Sequence, residues 1–238
     1  MKRQEDFIAT VSHELRTPLT SIRGFSQTLL ASWDKISDAD KQKFVKIIEE
    51  QSNRLIGLVE NILSVSSSNS SEKPLLKKVN IKHALEPVLK IITQHYPSHK
   101  INVEINPNLP EGMLDEEKFQ QILTNLIENA CKYSKEGSQV QIKSDFADNK
   151  EGFFSIKICD EGIGISPEYK ERIFEKFARI DSPLTRSVQG NGLGLYITKS
   201  LVEIMNGEID FESSDKGTTF EVKLPLYSPE EQVCSAIS

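Results

Sequence analysis

The stretch Phe7-Ile8-Ala9-Thr10-Val11-Ser12-His13-Glu14-Leu15-Arg16-Thr17-Pro18-Leu19-Thr20 decides how the rest of the chain is read. From Phe7 onward the apolar residues Val11, Leu15, Leu19, Ile22, Phe25 and Leu29 fall within about 120° of arc at helical spacing, which predicts one continuous buried stripe. His13 sits opposite that stripe, so its imidazole is expected to face solvent. Free imidazole has a pKa of about 6.5, so near neutral pH much of it carries an available lone pair. Such a ring can attack an electrophile, and the carboxylate of Glu14 could hold its other N–H and stabilise positive charge as it develops. Taken alone, a histidine on a helix face is more often an ordinary surface residue. Pro18 makes this one unusual. A proline inside a helix removes a donor and presses on the carbonyl four residues back, here that of Glu14, at a cost of roughly 3 kcal/mol. Thr17, one turn beyond His13, shares its face and could orient a water.

Outward from this segment, the break at Ser37 to Asp40 supplies N-cap residues, and Phe44, Ile48, Leu55, Leu58, Ile62 and Val65 repeat the stripe on a second helix. Two such helices joined by a short loop predict an antiparallel hairpin over residues 1–66. So small a unit buries little core by itself, and pairing two copies into a four-helix bundle would cover the remaining apolar surface. Residues 67–74 lie in a Ser-rich polar stretch that reads as a linker. Residues 75–226 then mix strands and helices. Ile101, Val103 and Ile105 alternate, as do Val140 and Ile142, and Phe154, Ile156 and Ile158. Glu116 to Tyr133 has helical spacing, and Leu193 to Met205 reads as a helix stopped by Gly207 after Asn206. Strands at 208–212 and 219–224 flank a turn at Asp215-Lys216-Gly217, a helix is expected near Pro167, and residues 227–238 read as a tail. The fold class expected is α+β: the hairpin followed by an α/β sandwich.

His13-Glu14-Leu15-Arg16-Thr17-Pro18-Leu19 resembles the H box of the sensor histidine kinases of two-component systems. That resemblance implies that His13 accepts the γ-phosphoryl group of ATP and passes it to an aspartate on the receiver domain of a response regulator. It implies further that Glu14 is the acid/base and that Thr17 supports dephosphorylation of the regulator.

A phosphoryl acceptor needs a donor site, yet neither G-x-x-x-x-G-K-[ST] nor G-x-G-x-x-G occurs. Four other segments could build one. Asn125, Asn129 and Lys132 form a polar stripe on an otherwise apolar helix; amide oxygens suit Mg²⁺ and a lysine suits phosphate, although a solvated helix face would look the same. Asp160-Glu161-Gly162-Ile163-Gly164 follows an apolar strand, and a carboxylate there could accept a hydrogen bond from the amine of adenine, with a plain turn as the rival reading. Gly190 to Gly194 opens a helix whose N-terminus suits phosphate. Between them, Arg179 to Gln189 reads as a lid over nucleotide. Together NLIENACKYS (125–134), DEGIGI (160–165), IFEKF (173–177), GNGLGL (190–195) and KGTTF (216–220) resemble the N, G1, F and G2 boxes and the final motif of the same kinases. The resemblance assigns Asn129 to Mg²⁺ with Asn125 nearby, and Lys132 and Tyr133 to phosphate and adenine. It assigns Asp160 to the adenine amine, Gly162 and Gly164 to the pocket wall, and Gly192, Leu193, Gly194 and Leu195 to the phosphates. Arg179 falls to the lid, and Thr218 and Thr219 to the base of the pocket. Asn191 and Asp215 depart from the family's usual Thr and Gly.

A formal net charge of -6 argues against a phosphate-backbone binder, so no nucleic-acid partner is expected. No run approaches the about 18 apolar residues of a spanning helix, so any membrane contact is expected to come from a segment absent from this chain. Cys131, Cys159 and Cys234 lack metal or disulfide spacing, which suits a cytoplasmic setting, and Cys131 reads as a packed residue. Two rival readings stay open at this point: a scaffold that binds ATP without phosphorylating His13, and a gyrase-type ATPase whose nucleotide is hydrolysed by water.

Overall fold

Pro18 does not end the first helix. In the computed structural model, which describes residues 2–67, 73–170, 172–176, 178 and 192–228, α1 runs unbroken over Lys2–Ser32 and α2 over Asp38–Ser67. Side chains 2–10, 13, 60, 61 and 63–67 lie outside the description. The chain divides into two compact units, residues 1–70 and 71–238.

In the first unit Ser37 caps α2, its hydroxyl accepting from Asp40 N–H at 3.1 Å. The hairpin register brings Phe25 against Phe44, ring centroids 5.1 Å apart. Leu29, Leu58 and Pro18 are buried, whereas Leu19, expected in the stripe, is 59% exposed. The reason is the period. Val11, Leu15, Pro18, Ile22, Phe25 and Leu29 step by four and three, the seam of a coiled coil, and the proline ring takes the apolar position that a count of aliphatic residues gives to Leu19. Leu30, Trp33, Val45, Ile56 and Val59 are exposed on the hairpin.

The second unit is a five-stranded sheet with helices on one face. The strands are β2 (Lys100–Ile105), β4 (Gln139–Phe146), β5 (Phe153–Asp160), β6 (Glu208–Ser214) and β7 (Gly217–Pro225), in the order β2-β4-β5-β7-β6. Only the β2–β4 pair is parallel. A two-stranded antiparallel sheet pairs β1 (Lys77–Val79) with β3 (Gly112–Leu114). Alternation sends Val140, Ile142, Phe154, Ile156, Ile158, Phe220, Val222 and Leu224 inward, all buried. On the other face Lys143 lies opposite Lys157, with Glu104 and Glu221 within 3.4 Å and 3.3 Å of the two ammonium groups.

Three helices cover the inner face. α4 (Glu116–Tyr133) is capped by Asp115, whose carboxylate accepts from Lys118 N–H, and presents Phe119, Ile122, Leu123, Leu126 and Ile127 to the core. α3 (Ile81–His95) was not anticipated from the sequence. Pro87 near its middle reads as a breaker, but Asn80 caps it, and Ile81, Ala84, Leu85, Val88 and Ile92 make a fully buried stripe that outweighs one lost backbone bond. α5 (Gly194–Ile204) ends in a Schellman motif, with Gly207 N–H reaching Val202 C=O at 2.9 Å. The left-handed residue there is Asn206 (φ 58°), not the glycine expected; a Cβ on Gly207 would meet the Lys223 carbonyl instead. The helix expected near Pro167 is a single 3₁₀ turn, Pro167–Tyr169.

Among the described residues no helix is long and apolar enough to cross a membrane.

Candidate functional site

The C-terminal end of β5 delivers Asp160 to the floor of a cavity of about 260 Å³. Its Oδ1 accepts from the backbone N–H groups of Gly162 (2.8 Å) and Thr218 (3.2 Å). Burial nevertheless pushes its carboxyl above the usual range, outweighing both donors. The remaining carboxylate oxygen is an acceptor in a cavity whose walls include Ile163, Ile165, Ile173 and Phe220. Apolar walls beside the anchored Asp160 carboxylate suit a flat heteroaromatic ring bearing an amine.

The loop after Asp160 is fixed by backbone packing. Gly164 has φ 70°, and a Cβ there would run into the Ser214 carbonyl; one on Gly162 would meet the Tyr133 carbonyl and the Asp160 carboxylate at 2.6 Å. Ile165 N–H donates to Ser213 Oγ at 2.8 Å, and Ser213 Oγ meets Thr218 Oγ1 at 2.9 Å. The glycines are therefore demanded by contact between the loop, α4 and the β6–β7 hairpin. Gly164 lines the cavity and Gly162 does not.

On α4, Asn129 and Tyr133 line the cavity one turn apart. Asn125 does not. Its amide donates to Thr198 Oγ1 at 2.5 Å and fills the space where a side chain on Gly194 would sit, so it seats α5 against α4. Lys132 is engaged by Glu128 one turn back, Nζ to Oε2 2.6 Å, and is absent from the lining. From α5, Leu195 reaches the cavity, Leu193 is buried, and Gly192 takes φ 67°. The N-cap of α5 is Leu193, whose own side chain offers no cap hydrogen bond. Thr218 faces the cavity. Thr219 belongs to the opposite face of the sheet, where it pairs with Cys159, because neighbouring residues of a strand point to opposite sides. It does not close the pocket base as expected. The whole of the expected lid, 179–189, Arg179 included, lies outside the described residues, as do Gly190, Asn191 and the tail beyond Ser228.

Sequence reasoning named no residue between 165 and 178 for the site, yet Tyr169, Arg172, Lys176 and Ala178 line it. The signal available was IFEKF. Its Phe174 does not enter the cavity but packs edge-on against Phe211 at 6.1 Å, anchoring the segment whose Ile173 and Lys176 do. Lys176 also lies over the Tyr196 ring at 4.8 Å.

In the first unit, Glu14 and Arg54 form an ion pair between α1 and α2, Nη2 to Oε2 3.5 Å. Thr17 is exposed. His13 belongs to α1, and its side chain is outside the described residues.

Comparison with known proteins agrees with both units. Residues 3–71 match the His Kinase A (phospho-acceptor) domain, and residues 114–228 match the family of histidine kinase-, DNA gyrase B- and HSP90-like ATPases. The sensor protein SrrB of Staphylococcus aureus (strain N315) is 35% identical over 225 residues, 93% of this chain, and the chain spans 38% of that relative's length. Full-length ShkA, solved in complex with AMPPNP, is 27% identical with a TM-score of 0.67, over 94% of this chain and 46% of that one. The histidine kinase ThkA, solved in complex with the response regulator protein TrrA, shares the fold at 23% identity and a TM-score of 0.71, over 93% of this chain and 61% of that one. With a phosphoacceptor domain and an ATPase domain of this kind in succession, the chain belongs to the sensor histidine kinases.

Proposed function

We propose that the chain phosphorylates itself on His13 with ATP and passes the phosphoryl group to an aspartate of a response regulator. The observation that carries this reading is Asp160: a partly buried carboxylate, held by two backbone N–H groups, on a cavity with apolar walls. Asp160 would take the adenine amine while the isoleucines and Phe220 hold the ring faces. Tyr133 and Thr218 border the same space. The first turn of α5, with Gly192, Leu193, Gly194 and Leu195, would supply N–H groups and a positive dipole end to the phosphates. Asn129 would contribute an amide oxygen to Mg²⁺, a cation that accepts such hard donors and neutralises phosphate charge when bound. Lys132 would reach phosphate once released from Glu128, and Arg179 would act from the lid.

At the acceptor, a neutral imidazole nitrogen of His13 attacks the γ-phosphorus. The N–P bond forms as the bond to the ADP oxygen breaks. The proton on the other ring nitrogen is held by Glu14, which stabilises the imidazolium and can take the proton. Thr17 would orient water for dephosphorylation of the regulator. The exposed Leu19, Leu30, Val45, Ile56 and Val59 support a homodimer in which two hairpins make a four-helix bundle. We assign residues 1–66 to dimerisation and phosphoacceptance, 75–226 to catalysis, and the whole to the cytoplasm, where ATP is available.

The test is incubation with γ-labelled ATP and Mg²⁺ alongside His13→Gln. Label on the wild type alone, lost in acid and kept in alkali, is the expected result. Acid-stable label, or label surviving in His13→Gln, would refute it.

A further inference from the structure

We infer that Thr198 is a positioning residue for the phosphates of the nucleotide, acting through Asn125; the inference rests on the reading that the first turn of α5 receives those phosphates. Thr198 lies one turn into α5 and is 1% exposed. The other buried residues of that helix, Ile197, Leu201 and Val202, are apolar, so the hydroxyl needs a partner within the protein. The partner comes from α4, where the Asn125 side-chain amide donates to Thr198 Oγ1 at 2.5 Å. The same amide fills the notch left by Gly194: a Cβ there would overlap Asn125 Oδ1 and come within 3.0 Å of its Cγ and Nδ2. Gly194 and Thr198 are four residues apart on one face of α5, so a single side chain of α4 is held at two successive turns.

These two contacts specify what apolar packing does not. Leu201 and Val202 hold α5 in the core without directional preference, whereas a hydrogen bond and a close approach at glycine fix both the rotation of a helix and its position along its axis. Both contacts lie at the N-terminal end of α5, where the N–H groups of Gly194 and Leu195 begin, and Asn125 stands one turn before Asn129 on α4. The pair therefore sets the spacing between the N–H groups offered to phosphate and the Asn129 amide offered to Mg²⁺. Neither Asn125 nor Thr198 lines the cavity. Asn125 thus serves the phosphates by holding α5 in place and not as a ligand, and Thr198 is the group that holds Asn125.

The experiment compares Thr198→Val, Thr198→Ser, Asn125→Ala and the Asn125→Ala/Thr198→Val double variant with wild type. It measures Kd for ADP with Mg²⁺ by calorimetry, and for adenosine, which has no phosphates, by competition, with a thermal melt of each variant. Thr198→Val keeps the volume and loses the hydroxyl; it is expected to weaken ADP about tenfold while adenosine stays within about twofold, and Thr198→Ser to bind both within about twofold of wild type. In the Thr198→Val background, Asn125→Ala is expected to add less than about twofold, because two residues acting through one contact are not additive. Wild-type ADP binding in Thr198→Val, equal weakening of ADP and adenosine, or a Thr198→Ser variant as weak as Thr198→Val would overturn the inference. So would a full Asn125→Ala effect persisting without the Thr198 hydroxyl, which would make Asn125 a ligand. A wild type that binds adenosine as tightly as ADP removes the underlying reading of α5 as the phosphate site, and that outcome is seen without any variant.

Discussion

Replacing Asp160 by Asn should move stability and nucleotide affinity in opposite directions. The amide keeps an oxygen where Gly162 and Thr218 donate, so the loop retains its anchor. Bonds to a carboxylate are worth about 1.5–3 kcal/mol each and those to a neutral acceptor about half, so weakening both costs roughly 2 kcal/mol. Against this stands desolvation of the charge, which outweighs both donors, since the carboxyl is held above its usual range in the fold. A carboxyl raised in this way favours the protonated native state at low pH and loses that advantage as pH rises through its folded pKa. Well above that folded pKa the wild type therefore carries the cost of the charge, and the neutral variant should be at least as stable in urea unfolding without ligand. Affinity goes the other way. The amide turns an N–H₂ toward an amine, exchanging a charged hydrogen bond for two opposed donors, about 3 kcal/mol or roughly a hundredfold in Kd for ATP by calorimetry. GTP, with an oxygen at that ring position, should lose far less. Binding of ATP by Asp160→Asn within about threefold of wild type, or any destabilisation beyond the error of the unfolding measurement, would refute the reasoning.

Gly164→Ala should destabilise by more than about 3 kcal/mol, because a left-handed φ adds to overlap with the Ser214 carbonyl, whereas Gly137→Ala, at φ 82° in open space, should cost only about 1–2 kcal/mol; equal melting shifts would count against the packing argument. Burial raises the Asp115 carboxyl, but the N–H groups of Leu75 and Lys118 and the Lys118 ammonium outweigh it and hold the group below its usual range. Its stabilisation is then present above the unfolded value and lost as pH falls through the folded one. The stability gap between wild type and Asp115→Asn, about 1 kcal/mol at neutral pH, should close as pH falls below the usual carboxylate range; a gap independent of pH would exclude a role for the charge. Burial pushes the Cys131 thiol up to about 11, so native protein treated with iodoacetamide at pH 8 should carry no label on Cys131 until denatured, and rapid native labelling would contradict the packing described.

Long periodic elements were legible in the sequence. The helical spacing of Glu116 to Tyr133 matches α4, and two apolar stripes gave the hairpin, although Leu19 stood in the stripe where the structure has Pro18. What escaped depends on contacts between distant segments. Nothing local separates Gly162 from Gly164, yet one is set by α4 and the other by the β6–β7 hairpin. Asn125 and Asn129 look equivalent on a wheel, and only the position of Thr198 turns one toward α5 and leaves the other in the cavity. Thr218 and Thr219 are neighbours, and strand register alone decides which faces Asp160. Tyr169, Arg172 and Lys176 have no periodicity to mark them, because a 3₁₀ turn and irregular backbone bring them to the site.

The strand order has a consequence for how the protein is made. Among the described residues β7 is the last strand, yet it lies between β5 and β6, and β6 has no other neighbour in the sheet. A nascent chain halted before Gly217 would have β6 with nothing to pair to, Asp160 without the Thr218 donor, and Ile158 without Phe220 opposite it. Nucleotide binding thus awaits β7, whereas both helices of the hairpin have been synthesised well before the ATP site exists. A ribosome-stalled or truncated product would display an acceptor helix with no means of charging it.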